Sequence, residues 1–284
     1  MLFRSRDNGA LICVHAEDPV LIGSRTKALL AAGKTSPWHH YESRPESVEA
    51  GAVCRAIGLA RTTGSSLYIV HLACLEGLEA VARARAEGYP VYAETCPHYL
   101  HFTHDIYKRS DGQRFVCSPA IKGQSSQDAL WQGIARGEID TVATDHCPFQ
   151  SAEKDAGQDD FTLIPNGCMG VETLYPFMLS AANQGRISYN KAVEVCSTNV
   201  ARLFGFAPQK GTLAIGSDAD LVIYDPRGES VVAQENMHSK VDYTIWEGMR
   251  LAGHLDKVFS RGKLVFSDGS FEGEPGWGRF VRCR

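Results

Sequence analysis

Over roughly the first two hundred residues, short β-prone runs alternate with longer amphipathic ones, and few folds accommodate that order. Strands separated by helix-length segments pair in parallel, because a parallel crossover needs a dozen or more residues. The predicted strands cover residues 11–15, 67–71, 91–95 and 141–145. Predicted helices cover 47–61, 76–87, 126–136 and 171–182, where apolar residues recur at steps of three and four.

Three of those strands end in a side chain that can bind a metal: His15, His71 and Asp145. In α/β proteins catalytic groups gather where strands end, and parallel strands bring all such ends to one rim. Imidazole and carboxylate are the usual ligands of zinc and similar divalent ions. Each residue taken singly also suits a satisfied core histidine or a helix-capping aspartate. Their joint placement favours a metal site.

With 44% hydrophobic and 22% charged residues, the 284-residue chain can bury a sizeable core. A net charge of -4 gives no reason to expect nucleic acid, and no apolar stretch is long enough for a signal peptide or membrane span. The nine cysteines are dispersed, without a Cys-x-x-Cys pair, which reads as reduced thiols and a cytoplasmic location. After Phe206 turn residues become closely spaced, as in Gly216-Ser-Asp-Ala-Asp-Leu-Val222. The expected organisation is therefore an α/β region over residues 1–206 and a β-rich segment over 207–284.

Several motifs resemble, in order, the dihydropyrimidinase and hydantoinase branch of the cyclic amidohydrolases. They are Val14-His-Ala-Glu17, Ile69-Val-His71, Glu94-Thr-Cys-Pro97, Cys117-Ser-Pro119, Ala143-Thr-Asp-His-Cys-Pro-Phe149 and Ile164-Pro-Asn-Gly167, followed by Asn199-Val-Ala-Arg-Leu-Phe-Gly205. The resemblance covers nearly the whole chain beyond residues 1–6. It implies a (β/α)8 barrel with two divalent ions, expected to be zinc, opening a small cyclic amide or ureide, in a homo-oligomer. By position, His15 and His71 would bind one ion and Asp145 the other, Asp145 also acting as the catalytic proton carrier. Ser118 and Asn166 match positions where the family grips the polar edge of the substrate ring, and as neighbours of Pro119 and Gly167 they equally suit turns.

The departures are specific. The family has a His-x-His pair ending its first barrel strand and a carboxylated lysine on its fourth, and neither occurs here. The resemblance thus implies the second half of a barrel, about four βα units, an open sheet edge, and no activity in isolation. Residues 1–6 match no part of the family pattern and suit a truncated reading frame. Within the branch the alternative is allantoinase; outside enzymes it is a dihydropyrimidinase-like scaffold, which has no need of all three metal-capable residues. His98, His101 and His104 are expected in a loop without a metal role, and packing is the expected role of Cys117 and Cys147. The sequence leaves His39, His40 and His146 undecided.

Overall fold

The computed structural model describes residues 2–283. It opens with helix α1 (Leu2–Asp7), followed by strand β1 (Ile12–Val14) and helix α2 (Pro19–Ala31). Asp18 starts α2 by accepting hydrogen bonds from the backbone N–H groups of Val20 and Leu21, while Pro19 occupies the first turn, where no N–H is needed. Helices α3 (Trp38–Ser43) and α4 (Glu46–Thr63) come next. α4 buries Val48, Val53, Ile57 and Ala60 and stops at Gly64, whose φ of 69° suits the left-handed cap.

The alternation then runs through β2 (Leu67–Ile69), α5 (Leu75–Ala86), β3 (Val91–Thr95), the short α6 (Pro97–His101), α7 (Gln124–Arg136) and β4 (Thr141–Val142). The four strands form one sheet in the order β1-β2-β3-β4, all parallel, with Ile12 opposite Leu67, Leu67 opposite Val91 and Glu94 opposite Thr141. α4 and α5 pack against each other and against β2 and β3. Parallel strands need apolar cover. Leu67, Tyr68, Ile69, Val91 and Ala93 are all buried.

Three of the predicted strands run too far. β2 stops at Ile69 and β4 at Val142, because His71 and Asp145 have φ of 40° and 44°, outside the extended region. β1 stops at Val14, one residue short of His15. The stretch between Pro37 and Pro45 contains α3, and the histidine string starts within α6, so the string is not wholly the loop expected of it. Residues 2–6, outside the expected pattern, lie in α1; Met1 lies outside the described residues.

Short α8 (Ser151–Asp155) precedes α9 (Leu174–Asn183), α10 (Tyr189–Val193) and α11 (Asn199–Leu203). The β-rich end consists of β5 (Leu221–Val231), β6 (Arg250–Ser260), β7 (Lys263–Ser267) and β8 (Ser270–Phe271) in an antiparallel sheet of that order. Contacts divide the chain into two compact units. The first runs to Val171 and includes Ser239–Ile245; the second holds Glu172–His238 and the residues from Trp246 onward.

The change of composition at Phe206 therefore does not mark the division. α9 belongs with the β-rich sheet, where the Ser180 hydroxyl accepts from the Ala252 N–H at 2.9 Å and Phe177 meets Trp246. Conversely, residues 239–245 return to the first unit, where the Asp242 carboxylate accepts from the Ser151 backbone N–H and hydroxyl. No helix among the described residues is long and apolar enough to cross a membrane.

Candidate metal and active site

Because β1 to β4 are parallel, their carboxyl ends share one rim, and His15, His71, Glu94 and Asp145 all follow or end a strand there. The ladder continues past the strands through Val70 N–H to Val14 O, Leu72 N–H to Glu94 O and Ala143 N–H to Thr95 O. His71 is thus flanked on both sides by backbone hydrogen bonds, at Val70 and at Leu72. Of the four non-glycine residues with positive φ among those described, two are His71 and Asp145. Such strain costs on the order of 1–3 kcal/mol and persists where the surroundings impose it.

Two imidazoles converge at this rim. His15 Nδ1 and His71 Nε2 face each other at 3.1 Å, with ring centroids 4.8 Å apart. On the far side of its ring, His15 Nε2 lies 3.4 Å from the Glu17 carboxylate. That carboxylate favours the Nε2–H tautomer and leaves the Nδ1 lone pair aimed at His71. The hydrogen bond that His15 donates to Glu17 raises the pKa of His15, against the opposing effect of burial.

His71 is buried, and desolvation lowers its pKa to about 4 in spite of the nearby Asp145 carboxylate, so it is neutral at pH 7 with a lone pair to offer. Its Nδ1 is buried without a hydrogen-bond partner, while its backbone N–H donates to Glu94 Oε1 at 3.2 Å.

Two nitrogens each bound at 2.0–2.1 Å to one tetrahedral zinc sit roughly 3.3 Å apart. The facing pair therefore fits two ligands of one ion. Asp145 is exposed on the same rim. Among the described residues, no three His, Cys, Asp or Glu side chains converge to hold a metal; the candidate donors are two imidazoles, with a carboxylate on the same rim.

Ser118 and Asn166 come together although 48 residues separate them: the Ser118 hydroxyl donates to Asn166 Oδ1 at 2.9 Å. Lys154 explains why. Its fully buried ammonium donates to Val116 O at 2.7 Å and to Pro165 O at 2.6 Å, tying the two segments that carry Ser118 and Asn166. The Gly167 N–H adds a bond to Val116 O. At Gly167, a Cβ would lie 2.5 Å from the Cys147 carbonyl oxygen, so only glycine lets the segment carrying Asn166 pack against Cys147.

Sequence reasoning passed over Glu17, Arg44, Glu94 and Lys154. Burial pushes the Glu17 carboxyl up, but the His15 hydrogen bond, Arg44 and Lys122 outweigh it and hold the pKa below its ordinary value. Burial raises that of Glu94, whose carboxylate accepts from the Tyr68 hydroxyl at 2.7 Å. Both acids stand inside motifs already noted, two residues after His15 and two before Cys96, so position in the motif was the available signal. Arg44 and Lys154 carry no such signal.

The lesser candidates separate. His98 is buried, His101 exposed, and the ring of His104 stacks on Tyr41. His40 is buried with Nε2 on Cys117 O, and His146 Nδ1 accepts from the Gly170 N–H. Cys117 packs inside, whereas Cys147 is exposed and so does not fill the packing role expected of it. A cavity of about 930 Å³ in the second unit, lined by Val231, Met237, Leu255 and Phe266 among others, contains none of the rim residues. The rim, with its convergent polar groups, is the chemically equipped site.

Known proteins similar to this chain share one family. The chain is 42% identical over 279 residues to a D-hydantoinase of Ralstonia pickettii, covering 97% of this chain and 61% of that protein. It is 44% identical over 284 residues to a D-phenylhydantoinase of Escherichia coli O127:H6, covering 99% and 62%. The crystal structure of a dihydropyrimidinase from Brevibacillus agri NCHU1002 matches with a TM-score of 0.96 at 41% identity, over 99% of this chain and 62% of that one. The chain thus spans a little over three fifths of the length of these relatives. Residues 2–265 match the amidohydrolase family, so the opening residues expected to fall outside the resemblance lie within it. With that match and a rim of imidazoles and carboxylate at the ends of parallel strands, the chain belongs to the amidohydrolase family.

Proposed function

We propose that this chain carries part of the active site of a metal-dependent hydrolase that opens the ring C–N bond of a small cyclic amide or ureide, a hydantoin or dihydropyrimidine. The observation that carries the reading is the 3.1 Å approach of His15 Nδ1 and His71 Nε2 on a shared strand-end rim beside Asp145. The four parallel strands are read as an arc of a (β/α)8 barrel, which the resemblance to the cyclic amidohydrolases implies.

His15 and His71 would hold a divalent ion, with zinc the candidate that suits two neutral imidazoles. When bound, such an ion polarises the scissile carbonyl and lowers the pKa of a coordinated water. Asp145, exposed at the rim, takes a proton from the attacking water and returns it to the departing ring nitrogen. Ser118 and Asn166, joined by their own hydrogen bond, present polar groups to the ring's edge. Glu17 keeps His15 in the tautomer that binds metal.

Catalytic zinc sites ordinarily have three protein ligands, and the sequence contains no His-x-His pair. The chain by itself therefore binds metal weakly and does not turn substrate over. Free cysteines throughout are in keeping with a cytoplasmic location. α2 buries none of its residues and leaves Val20 76% exposed, which favours a homo-oligomer.

Equilibrium dialysis of the purified chain against cobalt or zinc, read by elemental analysis, tests the site. At most one weakly held ion is expected, with His15→Ala and His71→Ala each weakening it by tenfold or more. Two tightly held ions, or alanine variants that bind as well as the parent, would refute the assignment. Combining the chain with the part of a D-hydantoinase that it does not span should yield hydrolysis of hydantoin or dihydrouracil, and Asp145→Asn should abolish it. Turnover of allantoin alone would move the substrate class to allantoin.

A further inference from the structure

The two halves of the rim are joined by one side chain, that of Arg44, which ends α3. Its Nε donates to the Ser118 hydroxyl at 3.2 Å and lies 3.8 Å from Glu17 Oε2. Ser118 passes the connection to Asn166 at 2.9 Å, and Glu17 passes it to His15 Nε2 at 3.4 Å. An unbroken polar path therefore runs from the imidazole pair to the Ser118–Asn166 pair, with Arg44 at its centre. Residues 15, 44 and 118 are distant in sequence, so only the fold creates it.

The middle of the path is shielded from solvent, while its ends at His15 and Asn166 reach the surface. The Glu17 and Arg44 side chains are 3% and 18% exposed. The Arg44 carbonyl accepts from the buried Lys122 ammonium at 2.7 Å, which anchors the residue from behind. α3 is pinned by Trp38, whose ring meets those of Tyr41 and His104. The guanidinium thus starts from a fixed point and divides its charge between two acceptors.

Building on the metal site proposed above, we infer that Arg44 is a positioning residue that couples the metal-binding histidines to the Ser118–Asn166 edge. Its guanidinium holds Glu17 in the orientation that fixes the ring of His15, and it does so while engaged by Ser118. Loss of the Ser118 hydroxyl frees Nε to close on Glu17 and draw Oε2 away from His15. A group that grips substrate is in this way sensed at a metal ligand it does not touch. Partners behind a ligating histidine typically influence metal affinity by 10–100-fold.

The test is a double-mutant cycle on the intact chain, read as the dissociation constant for Co²⁺. Arg44→Met should weaken binding by about tenfold, with Arg44→Lys recovering part of the loss by restoring the charge without the planar fork. Ser118→Ala should weaken Co²⁺ binding severalfold in the Arg44 chain and leave it unchanged in the Arg44→Met background. A merely structural Arg44 gives additive effects, and Co²⁺ constants within twofold for Arg44→Met or Ser118→Ala overturn the inference.

Should the parent chain bind no Co²⁺, the metal assignment fails, and the coupling is then read without metal. In the ¹⁵N-labelled chain the Arg44 Nε–H resonance should be protected from exchange and should move in both Glu17→Gln and Ser118→Ala. A resonance that ignores either substitution overturns the path. If Arg44→Met does not fold, the same readings on Arg44→Lys, Glu17→Gln and Ser118→Ala decide the question.

Discussion

Replacing Glu49 with Gln should change how the stability of this protein depends on pH, in a direction set by burial. Glu49 lies on α4 at 1% exposure. Its Oε1 accepts from the Ala73 N–H at 2.7 Å, while Oε2 sits 3.7 Å from the Lys122 ammonium and makes no hydrogen bond. Burial drives its pKa from 4.5 up to about 7, and the opposing pull of Lys122 and the Ala73 N–H does not offset that.

An acid whose folded pKa is raised binds more protons folded than unfolded, so its contribution is full below pH 4.5 and is lost as pH rises through 7. The gap between 4.5 and about 7, at about 1.4 kcal/mol per pH unit, comes to about 3.5 kcal/mol. The parent profile alone hides this. Burial lowers the pKa of His40 from 6.5 to about 3, and that group acts in the opposite sense, removing stability as pH falls below 6.5.

The difference between parent and Glu49→Gln isolates the carboxyl, since His40 is common to both. Urea denaturation at intervals from pH 4 to pH 8.5 should show the parent losing about 3.5 kcal/mol relative to the variant, mostly between pH 4.5 and 7.5. A difference that stays constant to within about 1 kcal/mol across that range would remove the buried, protonated Glu49 from the account.

Three further substitutions test packing and hydrogen bonding in the unit that holds the parallel sheet. Gly133→Ala in α7 places a Cβ 2.7 Å from Leu78 Cδ2 and 3.3 Å from Ile139 Cδ1, so overpacking should cost about 1–3 kcal/mol and outweigh the helix-propensity gain. Gly58→Ala in α4, where nothing lies within 4 Å, should instead stabilise by roughly 0.5–1 kcal/mol, and thermal midpoints moving the same way in both would contradict the packing argument. Tyr68→Phe removes the hydroxyl that donates to Glu94 and meets Thr141 Oγ1 at 2.5 Å. It should cost about 1–3 kcal/mol in urea denaturation, and a change under about 0.5 kcal/mol would show that the buried Glu94 carboxyl does not need that donor.

The sequence by itself determined the alternation of elements, the parallel sheet in chain order and the rim along which His15, His71 and Asp145 lie. These follow from local rules: side-chain periods of two and 3.6, and the length that a parallel crossover demands. The motif Cys117-Ser-Pro119 likewise flagged Ser118 before its bond to Asn166 was visible. Other features had no local signal. α3 lay hidden between prolines, because its aromatic residues are held by His104, more than sixty residues away in the chain.

Only the tertiary structure decided that Lys154 would be buried against Val116 O and Pro165 O, since nothing in the sequence around a lysine reports which carbonyls the fold will leave needing a donor. The same holds for Arg44, which reaches Ser118 across 74 positions, and for the division of the chain at Val171 rather than Phe206. A strand reveals itself through its own pattern, but a polar path is made by residues that become neighbours only once the interior has closed around them.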